Sequence, residues 1–112
     1  MNIEQVLNRI RPHRKVNGIA AALLPFEDKG AIAVEAFQKH LLRTHSAGLT
    51  NAVNMDTGYV NYLSEEEQQL VLQLTRAALP AQTKFVAGAY IERLDGDIVG
   101  LYRNRDKSLR NI

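Results

Sequence analysis

The sequence predicts an α/β chain with a parallel sheet: a leading helix, then three strand–helix units. Three observations predict it. Apolar runs of strand length occur at 18–24, 49–53 and 84–89. Segments with helical apolar spacing lie between and after them, at 33–47 and 64–79. Proline, glycine and capping residues fall at the junctions. Strands alternating with helices of about 12 to 16 residues imply right-handed βαβ units.

Taken in order, Ile3, Val6, Leu7 and Ile10 sit at helical spacing, which predicts a short amphipathic helix over 3–10 ended by Pro12. Arg9, Arg11, His13, Arg14 and Lys15 then form a basic connector. No aromatic residue interleaves with them to stack bases, so a solvated linker is expected rather than a nucleic-acid patch. Residues 18–24 are apolar without alternation, the pattern of a strand covered on both faces. Pro25 stops it, and Phe26 to Gly30 is turn chemistry.

In the helix over 33–47, Phe37, Leu41 and Thr44 line one face, with Val34, Ala36 and Leu42 flanking, and Gly48 ends it. Leu49 to Val53 is the second strand. Asn54 to Leu63 follows as a polar loop, and Ser64 with Glu67 makes a capping box for the next helix. Glu65, Glu66 and Glu67 suit the positive end of its dipole. Leu70, Val71, Leu74, Ala77 and Ala78 are its expected buried face, and Pro80 ends it. The third strand is 84–89. Asp97 is placed to cap a last helix carrying Ile98, Leu101, Tyr102, Arg105 and Leu109, which reaches toward Ile112 and contains Gly100.

The totals narrow the function classes. At 112 residues the chain is expected to be one domain or a portion of one. Apolar residues make up 46% and charged residues 23%, with a net charge of +2, ordinary for a globular protein. The absence of cysteine excludes thiolate nucleophiles, disulfides and cysteine-bound zinc. No apolar run approaches the roughly 20 residues of a membrane helix, and no signal peptide is visible. A soluble cytoplasmic chain is expected, without metal, cofactor, nucleic acid or membrane partner.

Loops at the carboxyl ends of parallel strands are where α/β proteins place their chemistry. Three such places resemble one family. Gly18 to Gly30 is similar to a "G…A-L-x-T-P-F…D-G" opening, with Leu24 at the family's threonine. Asp56 to Glu67 resembles "T-T-G-E-x-x-x-L-s-x-x-E", with Asp56 at the first threonine and Tyr59 at the glutamate. Val86 to Tyr90 resembles "v-i-a-G-t-g". All three stand in register across most of residues 17–100. The family is the dihydrodipicolinate synthase/N-acetylneuraminate lyase group of class I aldolases. The resemblance implies a TIM (β/α)8 barrel, of which this chain spans the leading helix and first three βα units, making 1–112 a single partial barrel domain. It implies lyase chemistry on 2-oxo acids such as pyruvate through a lysine Schiff base. In the family that lysine, and a proton-shuttling tyrosine, lie on later strands, so this chain is expected to stop short of them and to be inactive alone. Adjacent threonines of the second loop hold the keto acid's carboxylate there, and Thr57 matches one of them.

The candidate substrate-binding residues are therefore Asp56, Thr57, Gly58, Tyr59 and Tyr90, with no catalytic residue expected in this chain. Schiff-base chemistry needs a desolvated amine near the strands' carboxyl ends. Lys15 and Lys84 precede strands, Lys29 is in a turn, and Lys39 and Lys107 are on helices. Asp56 is expected to repel a substrate carboxylate unless an arginine pairs with it, and a capped-turn role is its alternative. An α/β fragment of this kind also leaves strand edges and an inner face open, so a non-catalytic oligomerising module is the second reading. A remote third comes from Asp56-Thr57-Gly58, the triplet of aspartic proteases, but their nearly all-β folds do not fit the helices bracketing it. His40 and His45 are five apart and do not make an i, i+4 metal pair.

Overall fold

The computed structural model describes residues 1–110. In chain order it contains α1 (Ile3–Leu7), β1 (Ile19–Ala21), α2 (Val34–Ser46), β2 (Thr50–Val53), two 3₁₀ turns (Asp56–Gly58 and Val60–Tyr62), α3 (Glu65–Ala78), β3 (Val86–Ala87) and α4 (Ile98–Arg110). The strands form one sheet in the order β1-β2-β3, parallel throughout. This is the α/β order expected. The end of the chain beyond Arg110 lies outside the described residues.

The core is a single layer between the sheet and the pair α2 and α3. Phe37 and Leu41 of α2 are 1% and 0% exposed, and they pack with Val53, Leu63, Val71 and Leu72. Asn51 points into the same layer, donating from Nδ2 to the Leu41 carbonyl at 3.1 Å, which ties β2 to α2. Gly48 stands at φ +85 just past the end of α2, the left-handed position for which glycine carries no Cβ penalty. Leu24 and Ile32 belong to the same core, on either side of the 26–31 turn, and Phe26 pairs antiparallel with Ile32.

Four expectations need correction. The leading helix covers Ile3–Leu7, not 3–10: Asn2 and Gln5 cap its start, but none of its residues is buried, so nothing holds a longer helix together. The first strand is covered on one face only. Ala22 and Leu24 are buried toward the helices, while Ile19, Ala21 and Leu23 face solvent. The continuous apolar run therefore marks a strand whose second face has no cover among the described residues. On α3 the buried residues are Gln68, Val71, Leu72 and Thr75, whereas Leu70 and Ala77 are exposed. Gln68 and Thr75 are tolerated there because each satisfies its side chain locally, Gln68 Nε2 donating to the Leu63 carbonyl and Thr75 Oγ1 to that of Val71. The third strand pairs over only Val86–Ala87, extended by one bond from the Gly88 N–H to the Val53 carbonyl.

α4 has no buried residue, although Leu109 packs against the core. Its start is the one expected, the Asp97 carboxylate accepting from the Gly100 N–H at 2.9 Å. Arg105, with its side chain only 14% exposed, pairs with Glu65 at 3.1 Å and joins α4 to the first turn of α3. Among the described residues no helix is long and apolar enough to cross a membrane.

Candidate functional site at the carboxyl ends of the strands

β2 ends in a left-handed residue, Asn54, at φ +56. Its side chain is buried and donates from Nδ2 to the Gln68 carbonyl, so the turn out of the sheet is fastened to α3. The next residues wind into a 3₁₀ turn, the Gly58 N–H donating to the Met55 carbonyl and the Tyr59 N–H to that of Asp56. Tyr59 is again left-handed, at φ +59, and starts the second 3₁₀ turn. Val60 and Leu63 drop into the core and anchor the loop. The Ser64–Glu67 capping box is formed reciprocally, at 3.0 and 3.1 Å, and hands the chain to α3.

This path leaves an open depression of about 600 Å³ between the carboxyl ends of β2 and β3. Asp56, Thr57 and Tyr90 all line it, so three of the five expected residues meet in one place. Gly58 and Tyr59 do not. Gly58 is buried, and a Cβ there would lie 3.2 Å from the Ala22 carbonyl oxygen. The left-handed turn at Tyr59 sends its ring the other way, toward Phe26, with centroids 6.2 Å apart.

Two groups absent from the expected site share the depression, Glu92 and Tyr102. Glu92 follows the third strand, and its place in a carboxyl-end loop was the signal that could have found it. Tyr102 arrives from α4, which only the packing of that helix decides. Gly88 forms the floor: a Cβ on it would come 2.1 Å from the Asn54 carbonyl oxygen, so β3 approaches the β2 turn this closely only with glycine.

The electrostatics are one-sided. Asp56 and Glu92 bring two carboxylates, and no lysine, arginine or histidine is among the lining residues. Arg93 donates to the Leu63 carbonyl and lies over the Tyr90 ring, 5.3 Å from its centre. Among the described residues Asp56 has no ion-pair partner. The lysines are where their positions in sequence put them. Lys84 lines a separate cavity with His45 and Thr83 at the amino ends of the strands, Lys39 pairs with Glu35 on α2, and Lys15, Lys29 and Lys107 are exposed on the linker, the 26–31 turn and α4. Among the described residues no group of three or more histidines and carboxylates lies together as a metal site. The Asp56-Thr57-Gly58 triplet occupies a 3₁₀ turn between a parallel strand and a helix, a setting unlike the all-β frame in which that triplet serves aspartic proteases. The chain matches no known family model and no curated protein.

Proposed function

We propose that this chain is a partial (β/α)8 barrel of the dihydrodipicolinate synthase/N-acetylneuraminate lyase type, whose second loop forms one wall of a 2-oxo-acid site and which performs no lyase chemistry by itself. A cytoplasmic location belongs to the same proposal. The observation that carries it is the depression at the carboxyl ends of β2 and β3: Thr57 and Tyr90 line it, and no amine does. In support, the three family-like stretches lie on or directly after β1, β2 and β3, in that order across one parallel sheet.

In mechanistic terms, a Schiff base forms when an unprotonated amine attacks the keto carbon and water leaves. Thr57 has a hydroxyl to offer a carboxylate oxygen, and Tyr90 a phenol at the same rim. Neither replaces the amine. Asp56 and Glu92 oppose the substrate's carboxylate, and at a separation of about 4 Å in water each unit of like charge costs about 1 kcal/mol.

Two experiments test the reading. Incubation with pyruvate and borohydride, followed by mass spectrometry, is expected to leave the chain unmodified; a reduced adduct on any lysine would overturn the claim that it lacks the catalytic amine. Asp56→Thr restores the adjacent threonine pair and removes one like charge. It is expected to strengthen pyruvate binding about fivefold in an NMR titration. An unchanged affinity would remove the loop from the substrate wall.

A further inference from the structure

Of the asparagines in this chain only one, Asn17, is followed by glycine. The pair Asn17-Gly18 closes the basic connector and directly precedes β1. That order carries its own chemistry. The main-chain nitrogen after an asparagine can attack the side-chain amide carbon and close an imide ring. A Cβ on the attacking residue crowds the closure and narrows its backbone angles. Glycine has neither restriction.

The structure leaves the pair free to react. Asn17 and Gly18 lie in neither helix nor strand, and every residue of 1–17 is exposed. No ladder of hydrogen bonds fixes the Asn17 backbone angles that ring closure must turn. Among the described residues the Gly18 N–H donates to no backbone carbonyl, whereas the Gly18 carbonyl accepts from the Thr50 N–H at 3.0 Å, where the pairing of β1 with β2 begins. Packing suits a glycine at this position, since a Cβ at 18 would have to push the Leu49 side chain aside. The core asparagines are the contrast. Asn51 and Asn54 are 2% and 5% exposed, and each donates its Nδ2 to a backbone carbonyl. Each is also followed by a residue with a Cβ, Ala52 and Met55.

We propose that Asn17 is a self-modifying position, turning without any enzyme into aspartate and isoaspartate through an imide with Gly18. The Gly18 nitrogen gives its proton to solvent base and bonds to Asn17 Cγ. The Cγ–Nδ2 bond breaks and the nitrogen leaves as ammonia. Water then opens the ring. Opening at Cγ gives aspartate. Opening at the main-chain carbonyl gives isoaspartate, in which the chain runs through the side-chain carbon. One water is consumed and one ammonia released, with no oxidation or reduction. Either product sets a new carboxylate close to Arg14 and Lys15 and lowers the formal net charge of +2 by one. Isoaspartate also inserts an extra main-chain atom just before Gly18, whose carbonyl begins the sheet. The inference is independent of the keto-acid reading, because no residue lining the depression takes part.

The test ages the whole chain for days at mildly alkaline pH and body temperature, then digests it with trypsin for mass spectrometry. A sample taken at the start corrects for change during digestion. The peptide of residues 16–29 contains Asn17 as its only asparagine. It is expected to gain the mass of an amide turned to an acid and to split into two species, told apart by electron-transfer fragmentation. Isoaspartate should be the larger, because the main-chain carbonyl is the more electrophilic. The rate is expected to lie within about threefold of that of the same peptide free in solution, as for a site the fold does not protect. Asp95, before Gly96, can close the same ring only by losing and regaining water, so the mass gain does not report it. Asn17→Gln is expected to abolish the change in this peptide and to keep the native circular dichroism, the position being exposed. A rate in the whole chain below that range overturns the proposal in favour of a connector held by contacts. An earlier mass gain at any other asparagine overturns it as well.

Discussion

Gly88 shows how much of this site rests on single backbone positions. The Asn54 carbonyl oxygen lies 2.1 Å from where its Cβ would be, and a carbonyl in a fastened turn has little room to give. Gly88→Ala is expected to destabilise the chain by about 1–3 kcal/mol, read as a lower urea midpoint with the slope unchanged. Nothing near Gly88 in sequence announces this, because the obstacle comes from the turn after another strand. Gly48 is the contrary case. Its left-handed φ follows from a periodic helix that must end there, and the sequence shows it directly. Asp56 and Thr57 were also legible as residues of a carboxyl-end loop. The exclusion of Tyr59 was not, since it depends on a left-handed turn that a tyrosine rarely adopts.

The elements divide along the same line. α2 and α3 were readable almost to their ends, because period, cap and terminator agree locally. Ser64 illustrates the cap. Its Oγ accepts from the Glu67 N–H while the Glu67 side chain accepts from the Ser64 N–H. Ser64→Ala is expected to cost about 1 kcal/mol in chemical denaturation. Phe37 illustrates the core of the same layer, being 1% exposed among Leu41, Val53 and Leu72. Phe37→Ala is expected to cost about 3–5 kcal/mol, a large share of the total for so small a chain, and to broaden or abolish the thermal transition. Which side of α3 is buried was less legible. Polar Gln68 and Thr75 occupy it because they find backbone carbonyls, and apolar counting passes over such residues. The short β3 has a comparable cause, since pairing stops where Gly88 meets the turn at Asn54.

At the scale of the whole molecule, a one-layer core and a projecting arm predict uneven stability. In hydrogen exchange, amides of α2, β2 and α3 are expected to be the slowest and those of α1, which has no buried residue, to exchange without protection. The alternation of strands and helices, the parallel order, the caps and the position of the carboxyl-end loop all follow from the sequence, because hydrophobic period, turn chemistry and capping act over a few neighbouring residues. The meeting of Asp56, Thr57, Tyr90, Glu92 and Tyr102 and the departure of Gly58 and Tyr59 from that wall were decided only by the tertiary structure. These depend on which residues far apart in the chain approach one another, and a strand's apolar pattern does not say which of its faces finds a cover.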